Sequence, residues 1–287
     1  MKLKAEHKSG GLLFSHVNKT KEKRYMGKLD GKVALITGAG SGIGRCTALM
    51  FAEEGAELLI AGRRQAPLDE VVAEIGGAGG KISAKSTDME DQASVEALAA
   101  YAIEKHGRID ILVNNAGHSS KVRSARWISR EEFDSVYAVN VAGPAQLTKL
   151  LLPPMLEHGE GTVIMVSSVA ALHSGLLGGV AYGPAKAAAK MYMDNLRGEL
   201  REQGIRATTI YPAEVDTPIL NNRPMVPDTE ARSTMMRPED IAAGILFAAT
   251  LPARTMIDDM TFTPTMPRDV SAEIEVARHA GAPDGEA

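Results

Sequence analysis

A short apolar, β-prone run, Val33-Ala-Leu-Ile-Thr37, leads without a spacer into Gly38-Ala-Gly-Ser-Gly-Ile-Gly44, and that turn opens the helical pattern Arg45–Glu54. No other stretch restricts the fold as much. A strand that passes at once into a helix through four glycines is the start of a dinucleotide-binding βαβ unit. The glycines let the backbone come close to a pyrophosphate, whose charge then rests on the N–H groups of the helix N-terminus. Gly38, Ser41, Gly42, Ile43 and Gly44 are therefore candidate cofactor contacts.

The alternation continues along the chain. Strands are predicted near 33–37, 57–61, 81–86, 109–113, 161–167, 205–211 and 259–263, and helices near 43–54, 67–75, 91–106, 130–157, 180–203 and 238–250. Such an order gives parallel strands joined by right-handed crossovers. The expected class is α/β, a Rossmann-type doubly wound parallel seven-stranded sheet with helices on both faces. At 287 residues, 44% of them hydrophobic, the chain can bury one substantial core. The unbroken alternation points to a single catalytic domain over 29–267 rather than two.

Residues 1–28 form a basic extension, with eight Lys or Arg against two Glu in a chain whose net charge is −4. Basic charge of this kind can meet nucleic acid or an anionic surface. A flexible extension is the plainer reading, and no nucleic-acid or membrane partner is expected. Leu12-Leu-Phe14 is too short for a signal-peptide core, and no run of 18 apolar residues exists. Residues 268–287 are an acidic, alanine-rich tail without assigned chemistry. The single cysteine, Cys46, cannot form an internal disulfide and falls on the first helix as a small core residue. A reducing, cytoplasmic setting is expected. No cluster has metal-ligand spacing, and no metal is expected.

Chemistry enters at Tyr182-Gly-Pro-Ala-Lys186. Pro184 suits the first turn of a helix, where a missing N–H costs nothing. Positions i and i+4 share a helix face, so Lys186 is expected beneath Tyr182, its charge lowering the phenol pKa. A tyrosine so tuned exchanges a proton with a substrate oxygen.

Thr37–Gly44, Asn114-Asn-Ala-Gly117, Asn140, Ser167-Ser168, Tyr182–Lys186 and Pro212–Thr217 stand in the order and near the spacing of the short-chain dehydrogenase/reductase family in its single-domain form. The chain resembles that family from about Leu29 to Pro267. The resemblance implies Tyr182 as acid/base, Lys186 on the nicotinamide ribose, Ser168 on the substrate oxygen, and Asn140 holding a relay water with Lys186. Ser167 is a weaker alternative to Ser168. One residue more than is usual separates Ser168 from Tyr182, and the loop Leu172–Val180 is expected to absorb it. By the same resemblance, Asp88 and Met89 meet the adenine, Asn115, Ala116 and Gly117 pass along the cofactor, and Pro212, Val215 and Thr217 lie by the nicotinamide. Asn114 and Thr37 read as structural. Ala213 stands where the family has glycine.

The second strand ends Ala61-Gly62-Arg63-Arg64, with no acid to hold a ribose 2′-hydroxyl. Arg63, then Arg64, are candidates for a 2′-phosphate, so NADP is expected over NAD. Ser41 stands where some NADP-binding members carry a basic residue. His118, His173 and Leu220 are candidate substrate-pocket residues. Residues 217–237 resemble the family's lid, with Ile219, Leu220, Met225, Met235 and Met236 as its apolar inner face. Trp127 is placed either on the substrate or against the helix at 130–157. Gly62-Arg-Arg-Gln65, Arg237-Pro-Glu-Asp240 and the C-terminal segment resemble the branch of 3-hydroxy acid and serine dehydrogenases.

The expected activity is an NADP(H)-dependent oxidoreductase interconverting a secondary alcohol with a ketone or aldehyde, that is, a carbonyl reductase acting on CH–OH groups. A 3-oxoacyl thioester reductase is the alternative among enzymes, and a non-catalytic NADP(H)-sensing binding protein the alternative of another class. The resemblance also implies a homo-oligomer, a tetramer or dimer, paired through the long helices.

Overall fold

The computed structural model describes residues 27–283. Most of the basic extension, with Leu12–Phe14, and residues 284–287 lie outside the described residues. Seven strands run β1 Val33–Thr37, β2 Glu57–Gly62, β3 Ile82–Ser86, β4 Ile111–Asn114, β5 Gly161–Val166, β6 Ile205–Pro212 and β7 Asp259–Phe262. They form one sheet in the order β3-β2-β1-β4-β5-β6-β7, parallel at every pairing. The helices are α1 Gly42–Glu53, α2 Gln65–Gly77, α3 Gln92–His106, α4 Arg130–Tyr137, α5 Gly143–His158, α6 Gly179–Leu200, α7 Thr229–Ser233, α8 Pro238–Ala249 and α9 Ser271–His279.

The strands read as near-continuous apolar runs because helices cover both faces, which is the rule for parallel sheets. Side chains alternate between two cores. Leu58 and Ile60 pack on one face with Phe51 of α1, Leu68 of α2 and Ile245 of α8. Leu59 and Ala61 pack on the other with Leu98 of α3, Leu151 of α5 and Met193 of α6. Strands β1 and β4 lie side by side, yet their crossovers leave in opposite directions. The carboxyl ends of these strands, Thr37 and Asn114, therefore border a crevice open to a ligand.

The helix expected over 130–157 is instead three pieces. Between α4 and α5 the backbone widens into a π-helical segment, Ala138–Ala142. Asn140 sits in that segment and its Nδ2 donates to the Val136 carbonyl (2.8 Å) and to the His118 carbonyl (2.7 Å). The first residue of α5, Gly143, lies directly against the Met89 carbonyl, where a Cβ would collide. A widened turn of this kind often marks a functional position, because it re-aims one side chain within a continuous helix. Periodicity cannot reveal it, since the apolar spacing on either side stays helical.

Pro184 also differs from expectation. α6 begins at Gly179, so Pro184 lies in its second turn and removes the bond to the Val180 carbonyl. Gly179 takes φ +78, a conformation that favours glycine, and this is where the loop after Ser168 turns into the helix.

Candidate functional site

The glycine turn packs tightly on the loop after β4. A Cβ at Gly38 would lie 2.9 Å from the Ala116 Cα, and one at Gly44 would press on the Asn115 amide. Thr37 locks the same junction: its Oγ1 accepts from the Asn115 N–H (3.1 Å) and the Ala116 N–H (3.0 Å). Asn114 is buried and its Nδ2 donates to Thr148 Oγ1 at 3.0 Å. Both residues have the structural place that the sequence indicated. Ser41 precedes α1 without capping it, which leaves the first N–H groups of that helix open to an anion.

One cavity of about 550 Å³ gathers most of the candidate residues. Gly38, Ser41, Gly42 and Ile43 line one end with Arg63, Arg64, Asp88 and Met89. Asn115, Ala116, Gly117, Pro212, Val215 and Thr217 line its middle. Ser168, Tyr182, Lys186, His118, His173 and Leu220 line the other end. Gly44 and Asn140 stand just behind the wall, both buried. Neither the Arg63 nor the Arg64 guanidinium pairs with another side chain among the described residues. These residues fit a phosphorylated dinucleotide: a close backbone cradle, an open helix N-terminus, and two free guanidinium groups where an acid would oppose a 2′-phosphate. Among the described residues, no three His, Cys, Asp or Glu side chains form a group that could hold a metal ion.

At the far end the polar groups converge. Lys186 is buried, its Nζ donates to the Val166 carbonyl at 2.9 Å, and it stands 5.6 Å from the Tyr182 ring centre. Burial pulls the Lys186 ammonium down to about 8. Tyr182 moves the other way from the expected direction. Burial pushes its phenol up from its ordinary value, against the lowering influence of the Ser168 hydrogen bond and of the Arg123 and Arg223 charges. Desolvation of the phenol outweighs the nearby hydroxyl and guanidinium groups. Ser167 Oγ donates to the Lys186 carbonyl at 3.0 Å; Ser168 Oγ donates to the Pro212 carbonyl (3.4 Å), accepts from the Ala170 N–H (3.2 Å) and is close enough to Tyr182 to lower its phenol. The Oδ1 of Asn140 is buried with no hydrogen-bond partner among the described residues. A Cβ at Gly117 would lie 3.4 Å from that oxygen and 3.5 Å from Lys186 Nζ, so both atoms border the same small space.

Several expectations change. Met225 is exposed, and Met235 and Met236 lie away from the cavity lining, so only Ile219 and Leu220 of the five apolar lid candidates face it. Trp127 is not on the cavity; Arg126 stacks over its ring at 4.3 Å, and its Cβ lies under Gly281. Cys46 is buried and its thiol is pushed up to about 11, mainly by burial, as suits a packing residue. His118 is lowered, first by burial and then by Arg63, so it lines the cavity as a neutral imidazole.

Sequence reading missed Arg123, Arg223 and Glu214, all of which line the substrate end of the cavity. The available signal was position: Lys121-Val-Arg-Ser-Ala-Arg126 follows β4, and loops at strand carboxyl ends face the ligand.

A family model described as short chain dehydrogenase matches residues 32–226. The chain is 33% identical over 232 residues to 3-oxoacyl-acyl-carrier-protein reductase FabG of Thermotoga maritima, covering 78% of this chain and 92% of that protein. Among solved structures, the closed form of serine dehydrogenase complexed with NADP+ superposes with a TM-score of 0.75 at 30% identity, covering 83% of this chain and 97% of that one. The 7α-hydroxysteroid dehydrogenase complexed with NADH and 7-oxo glycochenodeoxycholic acid gives a TM-score of 0.75 at 32% identity, covering 82% and 93%.

Proposed function

The chain belongs to the short-chain dehydrogenase family of oxidoreductases, and from that premise we propose that it interconverts a secondary alcohol and a ketone or aldehyde with NADP(H). The observation that carries this reading is the meeting of the Ser168 hydroxyl, the Tyr182 phenol and the Lys186 ammonium on one cavity with the glycine turn. NADP(H), when bound, supplies the hydride in reduction and takes it back in oxidation.

The chain's own residues do the rest. Ser168 donates a hydrogen bond to the substrate oxygen and fixes it beside Tyr182. In reduction the carbonyl carbon gains a hydride, the C=O π pair moves to oxygen, and Tyr182 gives that oxygen its phenolic proton. Lys186 stabilises the phenolate left behind, and the space it shares with Asn140 Oδ1 passes a replacement proton inward from solvent. Oxidation runs the same steps backwards. Arg63 is the main holder of the 2′-phosphate and Arg64 the second. Residues 217–237 act as the lid over the substrate.

A 3-oxoacyl thioester is the second reading, and the similarity to the Thermotoga maritima reductase favours it. NADPH absorbance in the presence of ketones, 3-oxo acids and 3-oxoacyl thioesters tests both. Oxidation of NADPH by any of them supports the reading, and the best compound decides between the two substrate classes.

The protein is also proposed to be a homo-oligomer, a tetramer or dimer. On α6, Ala189 belongs to the core, while Met191 is 58% exposed; Phe247 on α8 is 56% exposed. Two large apolar side chains left in water on long helices suit a subunit contact. Light scattering is expected to give a multiple of the 30.5 kDa chain mass, and a stable monomer would contradict it.

A further inference from the structure

We infer that the substrate of this site carries a carboxylate, held by the buried guanidinium of Arg123. The inference rests on the oxidoreductase reading above and adds a substrate class to it. Arg123 is only 3% exposed, yet it lines the cavity. Its Nη1 donates to the Gly178 carbonyl at 2.8 Å, and its Nη2 to Ser119 Oγ and the Asn222 carbonyl, each at 3.4 Å. Its Nε–H is buried with no hydrogen-bond partner among the described residues. None of these acceptors is a carboxylate. A guanidinium withdrawn from water at such cost is ordinarily matched by an anion.

No carboxylate of the described residues makes an ion pair with Arg123; Glu132, whose charge favours it from a distance, is bonded to the Lys121 and Val122 N–H groups. Arg223 Nη1 donates to Glu214 (2.8 Å) and Glu273 (2.9 Å), and Arg268 bonds the same two carboxylates. Those hydrogen bonds hold Glu214 below its usual range in spite of burial. Two arginines and two glutamates thus neutralise each other. Arg123 remains without an ion pair: burial and the charge of Arg223 lower it to about 10, against the raising influence of Tyr182 and Glu132. That is still well above neutral pH, so the charge persists. Lys186, the other cation at this end, is spent on the Val166 carbonyl and on Tyr182.

Placement supplies the second argument. Gly178, which Arg123 grips, flanks the catalytic phenol: a Cβ there would lie 3.9 Å from Tyr182 Cδ1. Asn222, its other carbonyl partner, follows Leu220 in the segment over the site. An anion at Arg123 therefore lies within the electrostatic reach of Tyr182 and next to the segment Pro218–Asn222. A single surplus charge matches a carboxylate rather than a phosphate dianion.

The test compares a short 3-oxo acid, its methyl ester and a ketone phosphate as substrates with NADPH, using wild type, Arg123→Gln and Arg123→Lys. A charge-assisted contact of this kind corresponds to a preference of about 10- to 150-fold. Wild type is expected to favour the acid over the ester by that factor in kcat/KM. Arg123→Gln is expected to erase the preference, raising KM for the acid far more than for the ester, and Arg123→Lys to keep part of it. Equal use of acid and ester by wild type would overturn the inference. So would preference for the ketone phosphate, or an equal loss for acid and ester in Arg123→Gln, which would mark Arg123 as a brace for Gly178 and Asn222. If Arg123→Gln does not fold, the wild-type acid-to-ester ratio and Arg123→Lys decide. If nothing is turned over, the oxidoreductase reading fails, and the anion site is judged separately by thermal shift with the monocarboxylate 3-hydroxybutyrate in the presence of NADP+. Stabilisation of wild type that is lost in Arg123→Gln and partly kept in Arg123→Lys supports the site; no stabilisation of wild type, or equal stabilisation of Arg123→Gln, overturns it.

Discussion

Tyr182→Phe is expected to lower kcat by about 10²- to 10⁴-fold, the usual contribution of a positioned acid/base. The ring is retained, so its packing over Lys186 and the binding of NADP(H) are expected to survive, as isothermal calorimetry would show. The direction of the phenol's shift adds a pH signature. Burial holds Tyr182 protonated through neutral pH, which suits proton donation to a carbonyl. Reductive kcat/KM is therefore expected to be level near neutrality and to fall on the alkaline side as the phenol ionises. Oxidation needs the phenolate, so oxidative kcat/KM is expected to rise with pH over the same range. Arg123 and Arg223 favour the phenolate and move both limbs toward neutrality. A Tyr182→Phe enzyme with substantial turnover, or with an unchanged pH profile, would remove Tyr182 from the mechanism.

The second large effect concerns the cofactor. Arg63 and Arg64 are exposed at the end of β2 and line the cavity beside the glycine turn. A charged hydrogen bond from Arg63 to a 2′-phosphate contributes roughly 1.5–3 kcal/mol. Losing it is expected to weaken NADP binding by about 10- to 150-fold. Gly62 leaves room for the converse change, since a Cβ there meets nothing closer than Leu68 Cδ2 at 3.5 Å. In Gly62→Asp with Arg63→Ala, the new carboxylate can hold a ribose 2′-hydroxyl and repel a phosphate. The ratio of kcat/KM for NADP over NAD is expected to fall by at least the Arg63 factor, with NAD itself little affected by the loss of the arginine. A native enzyme that already prefers NAD would show that Arg63 points to solvent.

Most of the architecture was legible because it rests on local pattern. Continuous apolar runs marked the parallel strands, and the glycine turn marked the crevice between β1 and β4. The places that escaped are those decided by distant contacts. The π-helical segment at Ala138–Ala142 depends on Asn140 reaching the His118 carbonyl and on Gly143 meeting Met89. The start of α6 at Gly179 depends on a loop held by Arg123, which a proline rule at Pro184 cannot see. The direction of the tyrosine shift escapes the sequence for a related reason: i and i+4 spacing reveals a neighbouring charge, but not the desolvation around the phenol. The catalytic constellation itself was readable as a set of motifs. The arginines and glutamates around it were not, because their partners come from separate loops and from α9.

The central claim is that the chain moves a hydride between NADP(H) and a carbon bearing oxygen, with its own tyrosine moving the proton. Reaction with NADPH carrying deuterium at the nicotinamide C4, across the ketone and oxo-acid panel, reads this directly. One cofactor-derived deuterium on the carbinol carbon of the alcohol product, lost in Tyr182→Phe, is the predicted result. NADP(H) binding with no label transferred to any compound would contradict it and leave a cofactor-sensing protein in its place.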